Sequence, residues 1–226
     1  METKDFISDI AFVKPCHVLD TELPRSAYVP ISLDENNKEL QQFDITSSQA
    51  WQQYINAYLK ERNVQVAWGG YLEKRNIYKR SIHFNADNER NIHLGIDLWC
   101  DAGTEVLAVL DGEVHSFQNN TAYGDYGPTI ILKHSSVNGM TFYSLYGHLS
   151  LESLKNLYAG KKVKKGEVIA TLGLAAINGD YAPHLHFQLI KDMRGNTGDY
   201  PGVCSEKDLD FYKGNCPDPN RLLGLE

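Results

Sequence analysis

The chain lacks most of what would direct it to a membrane, a nucleic acid or a disulfide scaffold. No run approaches the roughly 18 apolar residues of a spanning helix, so no membrane span is expected. The opening M-E-T-K-D-F-I-S-D-I has no basic stretch followed by an apolar one. No secretory leader is visible, and a cytoplasmic location is expected unless the chain is exported by another route. Basic residues are outnumbered 22 to 29, and the net charge of −7 argues against a nucleic-acid partner. Cysteine is scarce: Cys16, Cys100, Cys204 and Cys216 form no C-x-x-C pair and are too few for a disulfide framework. They are expected as reduced structural thiols, with a Cys204–Cys216 bridge as the alternative.

What is present suits a soluble globular protein: 42% hydrophobic and 23% charged residues support a real core. Residues 1–63 form an N-terminal extension. Pro15, Pro24 and Pro30 punctuate short apolar runs such as Ile10 to Val13, so short strands and loops are expected there. One amphipathic helix is expected over about 46–60. Thr46 and Gln49 match a capping box, and Trp51, Tyr54, Ile55, Tyr58 and Leu59 recur at helical spacing as a core stripe. From 64 to 195 short apolar runs alternate with Gly, Asn and Asp turns, the pattern of a mainly β domain of antiparallel strands. A short helix is expected from Leu151 to Leu157, with Ser150 as its N-cap. Residues 196–226 are rich in Pro, Gly, Asp and Asn and predict a loop-dominated tail. Ala102-Gly103-x-x-Val106 before Gly112-Glu113-Val114 is echoed by Ala159-Gly160-x-x-Val163 before Gly166-Glu167-Val168. This is either chance likeness of two hairpins or a duplicated β unit.

The informative residues are histidines. In A-P-H-L-H-F-Q-L, strand alternation puts His184, His186 and Gln188 on one face and Leu185, Phe187 and Leu189 on the other. In N-I-H-L-G-I-D-L-W the same rule puts His93, Gly95 and Asp97 on one face, with Gly95 expected to leave open space above the sheet. Laid side by side, the two strands would collect His93, Asp97 and one or both of His184 and His186. Two imidazoles and a carboxylate with a water in the fourth position make a catalytic zinc set. The same ligands also hold Fe(II), so the donors alone leave the metal open. His148 ends an aromatic strand, and alone reads as a histidine bonded to a nearby carbonyl. His17, His83, His115 and His134 have no matching polar partner and are expected to be surface or structural.

These motifs resemble the lysostaphin/LytM-type zinc endopeptidases. The resemblance rests on His93-Leu94-Gly95-Ile96-Asp97, on Ala102 to Ala108, on Asp111-Gly112-Glu113-Val114, on Tyr146-Gly147-His148-Leu149-Ser150, on Gly160 to Gly173 and on Pro183 to Gln188. It covers about residues 90–190, with the motifs in order. It implies a duplicated hybrid motif of antiparallel sheets, and zinc (Zn2+) held by His93, Asp97 and His186. It further implies that His148 and His184 are the catalytic histidines.

The function expected is zinc-dependent hydrolysis of peptide bonds, with a peptide or peptidoglycan fragment as substrate. No carboxylate stands where a general base would be expected, so His148 and His184 are the candidates for moving protons. The aromatic, turn-rich loop from Asn119 to Pro128 either walls a substrate groove or is an ordinary hairpin loop. Two other readings stay open: a zinc-binding regulatory module without turnover, and a cytoplasmic hydrolase or lyase of small molecules.

Overall fold

The structure, a computed structural model, describes residues 16–20, 22–80, 90–136 and 138–225. Its main sheet has eight strands: β1 (Tyr28–Pro30), β2 (Val66–Gly69), β4 (Ile96–Trp99), β6 (Gly112–Asn120), β7 (Gly127–Ser135), β8 (Thr141–Gly147), β9 (Lys162–Val163) and β11 (His184–Ile190). Their spatial order is β1-β2-β4-β11-β8-β7-β6-β9. Every pairing is antiparallel except β1 with β2. Two smaller pairs complete the strands: β5 (Glu105–Leu107) with β10 (Val168–Thr171), and β3 (Ile92–His93) with β12 (Val203–Cys204). The mainly β, antiparallel class read from the sequence is the one observed.

The sequence echo has a structural counterpart. The first strand of copy one, β5, pairs with the second strand of copy two, β10. The first strand of copy two, β9, pairs with the start of the second strand of copy one, β6. Such reciprocal exchange is what a duplicated β unit produces, since each copy completes the other's edges.

Period-two alternation sorts β11 cleanly. Leu185, Phe187 and Leu189 enter the largest apolar cluster with Ile96, Leu98 and Tyr146. His184, His186 and Gln188 face the other way and are also buried, so both faces of this central strand are covered.

The N-terminal extension is part of the same sheet through β1, which lies parallel to β2 with Tyr28 opposite Val66. Helix α1 spans Ser48–Arg62. Its N-cap is Ser47, whose hydroxyl accepts from the Ala50 amide at 3.2 Å; the Thr46–Gln49 capping box does not form. Asp44 is the reason: its carboxylate accepts from both the Thr46 amide and hydroxyl, holding Thr46 in the preceding turn. Trp51 and Ile55 are the buried members of the aromatic stripe. Residues Ile10 to Val13 lie outside the described residues.

Two further expectations are corrected. Leu151–Leu154 is a single 3-10 turn, not a helix to Leu157. Ser150 does stand at the N-cap, its carbonyl accepting from the Ser153 amide, but its hydroxyl bonds those of Ser153 and Thr171 in place of a cap amide, and its own amide donates to Thr171 O, which ties the segment to β10. The tail is more regular than its composition suggests, with β12, α2 (Leu209–Asn215) and α3 (Asn220–Leu223). Leu222 and Leu223 are buried in the main cluster, so tertiary packing overrides the turn-rich composition. Among the described residues no helix is long and apolar enough to cross a membrane.

Candidate metal centre

The register of β4 against β11 assembles the site. His186 lies opposite Asp97 and His184 opposite Trp99. His93 arrives on the separate strand β3, because the chain breaks its strand between His93 and Ile96. Ile92 and Leu94 accordingly pack in a different cluster from Ile96 and Leu98, not along one apolar back. His93, Asp97 and His186 each offer a ligand atom, and these atoms lie within 4.8 Å of one another. None of the three is more than 3% exposed.

Their hydrogen bonds decide which atoms are available. His93 Nδ1 lies 2.9 Å from Gly70 O, and a carbonyl only accepts, so Nδ1 carries the proton. His186 Nε2 lies 2.9 Å from Gln188 Oε1, so there the proton is on Nε2. The inward atoms are then lone pairs: His93 Nε2 and His186 Nδ1, 2.8 Å apart, each 3.2 Å from Asp97 Oδ1. Three acceptors converge with no donor between them. A cation is the partner this arrangement fits, and two imidazoles with one carboxylate are a donor set that zinc accepts.

The surrounding side chains fix the ligands. Arg75 donates through Nη1 to Asp97 Oδ2 and through Nε to Glu73 Oε2, leaving Oδ1 of Asp97 turned to the histidines. Burial pushes the Asp97 carboxyl up, but His93 and Arg75 outweigh it and hold it well below the usual range. Gln188, itself fully buried, donates to Pro201 O at 3.1 Å and to Cys216 Sγ at 3.3 Å, which orients its amide oxygen toward His186. Gly95 is filled, not open: a Cβ there would lie 2.7 Å from the His186 ring and 2.7 Å from Phe187 O. Its hydrogen is what lets the His186 imidazole rest against the backbone. Gly70, at φ +107°, is needed for the same reason on the other side, since a Cβ would meet Arg75 and His93.

His148 and His184 stand beside this cluster, with ring centroids 4.2 Å apart. Each donates Nδ1–H to a main-chain carbonyl at 2.7 Å, His148 to Asn178 O and His184 to Ala182 O. Each therefore keeps an Nε2 lone pair, and that of His184 lies 3.9 Å from Asp97 Oδ1. His148 sits at φ +61°, a left-handed conformation costly for a non-glycine residue. Burial, then the neighbouring His184, drives its pKa well below 6.5. Burial likewise lowers His184 to about 4. The indole of Trp99 stacks on His184 at 4.0 Å with planes 20° apart.

All five predicted site residues meet in one place, and the other described histidines do not join them. His134 is buried between Asp111 O and Ser144 Oγ, and His115 bonds Ser116 Oγ. His17 is half-buried elsewhere, and His83 lies outside the described residues. All four cysteines are buried and free. Sequence reasoning missed Arg75, Glu73, Gln188 and Trp99 as supports. Gln188 was visible on the histidine face, but nothing in G-G-Y-L-E-K-R marks Arg75 as buried.

Fold and ligand set together define a class, an antiparallel β-sheet domain with a candidate two-histidine, one-carboxylate metal site. Residues 91–198, just under half of the chain, match the model of peptidase family M23. An uncharacterized metalloprotease of Haemophilus influenzae is 36% identical over 96 residues, 42% of this chain and 18% of that protein. The glycyl-glycine endopeptidase ALE-1 of Staphylococcus capitis is 31% identical over 110 residues, 48% of this chain and 28% of that protein. The matched region thus spans less than a third of either relative's length. Among solved structures, the catalytic domain of the antimicrobial peptidase lysostaphin from Staphylococcus simulans aligns at 23% identity with a TM-score of 0.38. That alignment covers 71% of this chain and 96% of that one.

Proposed function

We propose that the chain is a zinc-dependent peptidase that hydrolyses amide bonds of peptides, in the manner of the endopeptidases its family domain resembles. The observation that carries this is the convergence of His93 Nε2, His186 Nδ1 and Asp97 Oδ1 without a donor, beside two neutral histidines. Zinc held there supplies polarisation of the scissile carbonyl and acidification of water.

The chain's own residues do the rest. Arg75 keeps Asp97 ionised and turned inward. Gln188 holds the His186 proton on Nε2, so the inward nitrogen stays a ligand. His148 and His184, neutral at pH 7, accept a proton from the attacking water through Nε2 and return it to the leaving amine. Their Nδ1–H bonds to main-chain carbonyls steady either ring when it becomes cationic. The glycyl-glycine specificity named for the Staphylococcus capitis relative suggests peptides with small residues, such as those of peptidoglycan cross-links. The four buried free thiols favour a reducing compartment such as the cytoplasm.

The test is cleavage of glycine-rich peptides and peptidoglycan fragments by purified protein, with and without a chelator. Zinc-restored turnover is expected. Turnover unaffected by metal removal would overturn the reading.

A further inference from the structure

The His148–His184 pair is built onto helix α1, although neither histidine belongs to it. Two attachments run from the first turn of α1 to the pair. Ser48 reaches the segment that supplies the carbonyls. Its Oγ donates to Asp180 Oδ1 at 2.6 Å, between Asn178, whose carbonyl holds His148, and Ala182, whose carbonyl holds His184. Trp51 reaches the His184 ring through Trp99. Trp51 stacks on Trp99 with centroids 6.1 Å apart and planes at 13°, and Trp99 stacks on His184 at 4.0 Å and 20°. Trp51, Trp99, Tyr181 and Ala182 are buried together in one apolar cluster, separate from the one that Leu185 and Phe187 enter.

The three stacked rings are not equally anchored. The Trp51 indole donates Nε1–H to Ile45 O at 2.7 Å, and Phe43 and Tyr54 meet its ring edge-on. The Trp99 indole nitrogen is buried and has no acceptor among the described residues. A buried donor is normally paired, so Trp99 lacks the hydrogen bond that would fix the rotation of its ring. What constrains it is the two rings stacked against it. His184 has a single hydrogen bond through Nδ1 to Ala182 O. That bond fixes one point of the imidazole, and a flat neighbour fixes its plane. Order therefore passes from the anchored Trp51 through Trp99 to His184. Among the described residues neither tryptophan has a ring contact with His93 or His186, so the stack serves the pair and not the ligands.

We infer that Trp51 is a positioning residue: through Trp99 it holds the plane of His184, so that the Nε2 lone pair keeps one direction during turnover. Helix α1 is then a working part of the peptidase site. The inference rests on the peptidase reading above in giving His184 a part in turnover, and two readouts on the zinc-loaded full chain keep the claims apart. In protein with isotope-labelled histidine, the ring signal of His184, assigned with His184→Ala, reports its stacking directly, because an indole face shifts the protons beside it. Trp51→Leu should move that signal and leave those of His93 and His186 in place. Trp51→Phe keeps a ring but loses the bond to Ile45 O, and should move it part of the way. Ile55→Ala, a truncation in the same helix and cluster, should not move it. On glycine-rich peptides Trp51→Leu should lower kcat about tenfold with KM unchanged, and Trp51→Phe should recover most of the loss. A His184 signal that keeps its parental position in a folded Trp51 variant overturns the inference. So does an equal shift in Ile55→Ala, which would make the effect one of helix docking alone, and so does a moved signal with kcat unchanged. A parent without metal-dependent turnover overturns the peptidase reading instead, and the ring signals alone then decide whether Trp51 sets His184.

Discussion

The candidate metal cluster and the His148–His184 pair share the imidazole side chain and differ in how most of their members are supported. His186 and Asp97 belong to a network of side chains, Gln188 on His186 and Glu73 and Arg75 behind Asp97, while His93 donates to a main-chain carbonyl, Gly70 O. His148 and His184 are held by main-chain carbonyls, Asn178 O and Ala182 O, and by the face of Trp99. A ligand's nitrogen must present a lone pair, and a network of side chains can fix the tautomer while neutralising nearby charge. A proton-transfer group must change charge state during turnover, and a carbonyl tolerates both states. The side chains behind His186 and Asp97 can be removed by substitution, whereas the carbonyls behind His93 and the pair cannot.

That contrast can be broken at several points. The largest effect is expected in the pair itself. His148→Ala or His184→Ala should lower peptide turnover by about 10²–10⁴ with the fold intact, read as kcat under saturating zinc. Next comes Arg75→Leu, which leaves Asp97 buried without its cation. The metal-free variant should lose about 3–5 kcal/mol in urea unfolding, and zinc should restore more stability to it than to the parent. An equal loss with and without zinc would show that Arg75 acts on packing alone.

A smaller effect concerns pH in the metal-free protein. His93 and His184 are each held at about 4, chiefly by burial, against 6.5 in the unfolded chain. Below 6.5 the unfolded state binds the extra protons. Stability is therefore full above pH 6.5 and falls as pH drops toward 4, by on the order of 1–2 kcal/mol per histidine at pH 5. Urea unfolding at pH 7.5 and pH 5 checks this, and a flat profile would mean the rings are solvated. The smallest effect is at Gln188. Gln188→Leu frees the His186 tautomer and should weaken zinc by about 10–100-fold, measured by competition with a chromogenic chelator.

What the sequence made legible follows from periodicity. Alternation alone placed His184, His186 and Gln188 on one face of β11, and put Asp97 on a matching strand. The register His186 opposite Asp97 is the direct realisation of that pattern. Alternation was misleading wherever the strand stopped. It treated His93 to Asp97 as one straight strand, but the break after His93 is imposed by pairing with residues 202–204, over a hundred positions away. It also made Gly95 an opening, when the missing Cβ is space the His186 ring occupies. The capping box failed for a local reason, since Asp44 competes for Thr46. Arg75 was invisible because a charged residue in a loop segment gives no hint of burial, and its partner Asp97 is 22 residues further on. Trp51 read correctly as a core residue, but its place beside the candidate site depends on how α1 docks, which no spacing within α1 encodes.

The proposed centre divides five residues into three that bind metal and two that do not. Zinc titration of the His148→Ala/His184→Ala double variant, followed by calorimetry, addresses that division directly. One zinc per chain is predicted, with affinity within a few-fold of the parent, while His186→Ala should lose the site. A double variant that no longer binds zinc would contradict the division and make the histidine pair part of the metal centre.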